Sequence, residues 1–142
     1  MSWLKRRWPN TRQVSKKRQP LIFKTTDCFG NYVELPESTW IEHVLDEHPE
    51  MAGYEDLVKA LIRDPYQVRR STKHSTGAAF ISGAGIGPRP EGIRSLVIYA
   101  DELIEVQKGS TTGIVATAYP IDKGKYSNPR IGTPIYTKGG SK

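Results

Sequence analysis

Cysteine is all but missing from this chain. Cys28 stands alone, so no disulfide can close within it, and a reducing compartment is the expected setting. Apolar runs long enough to cross a bilayer are also missing. The stretch from Met1 to Trp8 is basic but lacks the apolar centre of a secretory signal. A cytoplasmic protein that makes no use of a membrane is therefore expected. Acids are missing from both ends: residues 1–19 hold seven Lys/Arg and no Asp or Glu, and residues 123–142 hold five and none. The total charge of +6 thus conceals a middle, 20–122, with nine basic and fifteen acidic residues, a net of −6. Basic ends of this kind meet polyanions by releasing counterions, with little regard for sequence. Trp3 and Trp8 among those cations suit base stacking, or docking of the arm on its own domain. The 142 residues fit one domain able to bury about two-thirds of its unfolded surface. The expected division is a basic arm (1–19), a domain (20–122) and a basic Gly/Pro-rich tail (123–142).

Phosphate-cradling loops are missing too. Gly83, Gly85 and Gly87 lack the spacing of a dinucleotide or P-loop motif, no Lys-Ser/Thr follows, and a strand comes next. The Gly/Pro stretch from Gly83 to Gly92 reads instead as a loop, with a lid over a site as one use and Arg89 and Arg94 beside it.

What is present is a change of period along the chain. Residues 21–26 and 32–35 alternate as two strands joined by a turn at Gly30 and Asn31. Ser38 reads as the N-cap of a helix running from Trp40 to His48, stopped by Pro49, with Trp40, Ile41, Val44 and Leu45 on one face. A second helix is expected from Tyr54 to Arg63, closed by Asp64 and Pro65. Strands follow at 66–71 and 78–82, flanking the loop 72–77. Further strands are expected at 94–100, with a possible continuation through Val106, and at 112–119. The tail reads as loose, with room for one added strand at 133–137. Helices first and an antiparallel sheet after them make an α+β arrangement, the helices on one sheet face and the other face free to bind.

The candidate chemistry sits on that plan. His43 and His48 are five residues apart, which on an ideal α-helix turns them about 140° from each other, so the pair alone is a poor metal chelate. By the same geometry His48 falls on the apolar face, as a packed C-terminal histidine or a functional one, while His43 falls outside it and is freer to move a proton near neutral pH. Arg69, Arg70, Lys73 and His74 form a dense cationic patch, either a phosphate seat or a solvated hairpin end. Alternation places Arg69 opposite Val68, towards the open face. Thr117 and Tyr119 share a face opposite Ala116 and Ala118, giving a hydroxyl for phosphate and a ring for a base, or simply a two-faced strand. Cys28 has no base beside it in sequence and reads as a small buried hydrophobe.

These fragments, in this order, resemble a known family. Trp40–His43, His48–Met51, Leu61–Pro65 and Val115–Tyr119 look like the phage-associated barnase/EndoU/colicin/RelE-like (BECR) nucleases, over roughly residues 23–120. The resemblance implies a barnase-like fold, with N-terminal helices packed on one face of a four- or five-stranded antiparallel sheet. It also implies a metal-independent endoribonuclease of the toxin or effector type, without a cofactor. RNA would be cleaved by attack of the ribose 2′-OH, and a protein inhibitor is a natural partner. On that likeness the catalytic candidates are His43, His48, Arg69, Thr117 and Tyr119, with Arg70 or Lys73 beside Arg69 on the phosphate; His74 of the cationic patch and Arg89 and Arg94 beside the Gly/Pro loop complete the substrate-binding candidates. Three other classes remain open: a nonenzymatic nucleic-acid-binding module, a phage or mobile-element interaction protein retaining the nuclease fold, and a metalloenzyme using His43, His48 and His74.

Overall fold

The structure, a computed structural model, describes residues 20–100, 102–109, 111–121 and 131–139. The expected arm, 1–19, and residues 123–130 and 140–142 of the expected tail lie outside the described residues. Alternating apolar side chains build strands β1 (Leu21–Thr26) and β2 (Tyr32–Pro36), which pair antiparallel. Asp27 closes the turn between them: its Oδ1 accepts from the backbone N–H of Phe29 at 2.8 Å and of Asn31 at 2.9 Å.

Pro36 then stands at the N-cap of helix α1 (residues 37–47), so Ser38 lies inside the helix rather than capping it. The middle of α1, Trp40–Val44, is wound as a π-helix between short α-helical ends. Trp40 and Val44 are buried. His48 leaves helical geometry at φ −137°, and a 3-10 turn (Pro49–Met51) follows. Helix α2 (Glu55–Arg63) buries Val58, Leu61 and Ile62. Each such side chain contributes about 1.5–3 kcal/mol by leaving water.

The remaining strands are β3 (Gln67–Ser71), β4 (Gly77–Ile81), β5 (Ile93–Tyr99), β6 (Thr112–Pro120) and β7 (Ile131–Thr137). Residues 103–106, which a continued strand would have occupied, form helix α3 (Leu103–Gln107), with Leu103 and Val106 buried at helical spacing. One seven-stranded sheet results, in the order β1-β2-β6-β5-β4-β3-β7.

The barnase-like α+β expectation, N-terminal helices on a four- or five-stranded antiparallel sheet, is therefore overturned. The fold is mixed α+β, with short helices on a larger sheet. Two pairings account for the difference. The β1–β2 hairpin joins through a parallel contact of Tyr32–Glu34 with Thr112–Ile114, and β7 adds to the far edge by pairing with β3. One sheet face carries the core: Phe23, Val33, Leu35, Val68, Phe80, Ile93, Val97, Tyr99 and Val115 pack with Trp40, Val44, Leu61 and Ile62 from the helices. Among the described residues no helix is long and apolar enough to cross a membrane.

Candidate functional site

Strand pairing aligns the other face of the sheet in rows. Arg69 registers with Ala79, Ala79 with Leu96, and Leu96 with Thr117. Ile81 registers with Arg94, and Arg94 with Tyr119. Between Thr117 and Val115 the pairing with β5 skips Ala116, a bulge that breaks the strand's alternation. Val115 and Ala118 both enter the core although they are three residues apart. Ala116 and Thr117 are thereby both turned to the open side, where alternation alone would place Ala116 with Ala118.

An open cleft of about 800 Å³ lies on this side. Helix α1 and the turn after it contribute His43, Glu47, His48 and Glu50, and the β3–β4 hairpin contributes Ser71, Thr72, Lys73 and His74. The loop before β5 supplies Arg89, β5 supplies Arg94 and Leu96, and β6 supplies Ala116, Thr117, Tyr119 and Pro120, with Ile121 after it. Both helix histidines reach the cleft because the chain does not follow an ideal α-helix between them. The π-helical turn changes the angular phase, and His48 sits past the helix end, held by its N–H to Val44 O at 2.7 Å. The 140° separation of an ideal helix does not apply.

Within the cleft the side chains are paired. His43 Nδ1 lies 3.7 Å from Glu47 Oε2, and Arg89 Nη2 lies 3.3 Å from Glu50 Oε2. The His48 ring stacks on Tyr119 at 5.2 Å between centroids, and the Arg94 guanidinium lies 5.1 Å from the same ring. Ser71 Oγ accepts from the backbone N–H groups of Lys73 and His74, each at 3.1 Å, folding the hairpin tip back over itself. Gly77 fits closely there. A Cβ on it would approach the Cβ atoms of His74 and Ser71 to 3.1 Å.

Of the ten site candidates, His43, His48, Lys73, His74, Arg89, Arg94, Thr117 and Tyr119 line the cleft, whereas Arg69 and Arg70 do not. Arg69 lies on the open-face row but is held by the sheet itself: its Nε donates to Gln67 Oε1 at 2.6 Å and its Nη1 to Gly132 O at 3.0 Å. Gly132 belongs to β7, so that neighbour follows only from the pairing of β7 with β3. Arg70 is exposed. Sequence reasoning missed Glu47, Glu50, Ser71 and Thr72. Glu47 stands four residues after His43, the spacing at which helical side chains meet, and this signal was available. Among the described residues no group of three His, Cys, Asp or Glu is placed to hold a metal ion.

A second polar cluster is buried apart from the cleft. Tyr99 Oη donates to Asp27 Oδ2, Asn31 Nδ2 donates to the same oxygen at 2.9 Å and to Val106 O at 2.7 Å, and Thr111 N donates to Asn31 Oδ1 at 3.0 Å. Burial, then the charge of Asp27, drives the Tyr99 phenol well above its ordinary value. Burial, again followed by Asp27, pushes the neighbouring Cys28 thiol up to about 12, which does not suit a nucleophile; the side chain packs against the core but is half-buried rather than buried as read from the sequence.

No family model, curated protein or solved structure matches the chain.

Proposed function

We propose that the protein is a metal-independent endoribonuclease that cleaves RNA by 2′-OH transesterification. The observation that carries this reading is the convergence, on one open cleft, of the imidazoles of His43, His48 and His74 with the cations of Lys73, Arg89 and Arg94. The reaction needs a base to take the 2′-proton as the 2′-oxygen attacks phosphorus. It also needs an acid to protonate the 5′-oxygen as its bond to phosphorus breaks, and positive charge on the phosphorane between these events. His43, exposed on the helix and oriented by Glu47, is the first candidate for one proton transfer. His48 or His74 supplies the other. Lys73, Arg89 and Arg94 stabilise the phosphorane, and Thr117 and Tyr119 position phosphate and base.

The motif likeness to the BECR nucleases supports the same reading, and with it a toxin or effector role and a protein inhibitor as partner. Glu47 and Glu50 are the acids lining the cleft among the described residues, so most of the middle region's negative charge lies away from it. Incubating the purified protein with RNA oligonucleotides, with and without EDTA, tests the proposal. Cleavage that survives EDTA, leaves 2′,3′-cyclic phosphate ends and spares the 2′-deoxy analogue is expected. Intact RNA throughout contradicts it, and RNA bound without cleavage favours the binding module.

A further inference from the structure

A carboxylate inside a cleft that must take a polyanion weakens binding, yet Glu50 faces this one and reaches Arg89, 39 positions on, at 3.3 Å. Both backbones are fixed. Glu50 lies in the turn held by Met51 N to His48 O at 2.9 Å and Ala52 N to Pro49 O at 3.1 Å. The loop carrying Arg89 is pinned by Gly85 N to Pro90 O at 2.7 Å, Gly92 N to Arg89 O at 3.1 Å and Ile93 N to Ser82 Oγ at 2.8 Å. Gly92, at φ +114°, has no room for a Cβ against Ser82 Oγ. These bonds tie the ends of the loop to each other and to Ser82. The long Arg89 side chain extends from this loop, and Glu50, two residues after His48, meets it. Arg89 has a further interaction besides this one.

We propose that Glu50 is a positioning residue, resting on the ribonuclease reading above: it holds the Arg89 guanidinium in the cleft that His48 also lines, for an incoming phosphate. The pair is half-exposed, so a substrate phosphate can take over the guanidinium without a large penalty. Fixed orientation favours the transition state, while the negative charge of Glu50 opposes ground-state binding. The two effects have opposite signs, which separates this role from a merely structural one.

The test is Glu50→Gln beside the wild type, with two readouts. One is the affinity for a short single-stranded oligodeoxynucleotide, which lacks the 2′-OH and cannot be cleaved. The other is kcat on the matching RNA. Glu50→Gln is expected to bind the oligodeoxynucleotide about threefold more tightly at low salt and to lower kcat about tenfold. Arg89→Ala weakens binding and lowers kcat, and adding Glu50→Gln to it lowers kcat no further. A wild-type protein that binds and cleaves, with Kd and kcat unchanged in Glu50→Gln or with its binding weakened, overturns this inference alone. A wild-type protein that neither binds nor cleaves overturns the ribonuclease reading and this inference with it.

Discussion

The molecule holds two polar clusters that differ in how their hydrogen bonds are spent. In the buried one, the side chains of Asp27, Asn31 and Tyr99 satisfy each other and reach out to the backbones of Phe29, Val106 and Thr111. Four segments meet there: the β1–β2 turn, the end of β5, α3 and the residue before β6. Such a network fixes a fold, because every donor taken from water has been given a partner inside. In the cleft, by contrast, His43, Glu47, Glu50 and Arg89 are paired yet keep a third or more of each side chain open to solvent. Those pairs add little stability, and a ligand can displace them. Polar residues closed on one another serve the structure, and polar residues left facing a cavity serve a ligand.

Substitutions can break or sharpen this contrast. Asp27→Ala should have the largest effect on stability. It strips the acceptor from Tyr99, Asn31 and two backbone N–H groups at once, and a loss of about 3 kcal/mol or more is expected in denaturant unfolding. Tyr99→Phe removes one donor and should cost about 1–2 kcal/mol by the same measurement. Alkaline pH probes the same region through Cys28. The folded chain keeps a proton that the unfolded thiol releases above its ordinary value of 9.0. The stability this contributes is therefore complete below pH 9 and is lost as pH rises towards about 12. Tyr99, also shifted upward, acts in the same direction. Melting curves from pH 8 to 11 should show the fall, and Cys28→Ala should make it shallower; an unchanged profile would speak against the raised thiol. Glu47→Gln, in the cleft, should change folding stability by less than about 0.5 kcal/mol. A larger loss would mean that the cleft pairs hold the fold after all.

The two faces of the sheet were not equally legible in the sequence. Alternation in residues 21–26, 67–71 and 112–115 marks strands whose inner members, Phe23, Val68 and Val115, reach the core. The spacing of Val58, Leu61 and Ile62 marks α2. These are local periods that a single segment carries in itself. Pairing is not local. Nothing within residues 32–36 announces a parallel neighbour at 112–114, and nothing near Arg69 announces the carbonyl of Gly132. The three strands that enlarge the expected sheet, β1, β2 and β7, and the backbone contact that holds Arg69, come from such distant pairings. The cleft also depends on two departures from ideal geometry. The π-helical turn at Trp40–Val44 brings His43 and His48 to one side, and the bulge at Ala116 turns two successive residues outward. Residue types identified most of the chemistry here, but these irregularities decided which side chains meet.

The central claim is that the cleft performs proton transfer on RNA while the buried cluster only holds the fold. Cleavage of one RNA oligonucleotide in EDTA by wild type, His43→Ala and Tyr99→Phe, at a temperature where all three are folded, tests it most directly. The account predicts that His43→Ala slows cleavage about 10²–10⁴-fold at unchanged melting temperature, while Tyr99→Phe melts earlier and cleaves at the wild-type rate. Wild-type cleavage by His43→Ala, or a loss of cleavage confined to Tyr99→Phe, would contradict it.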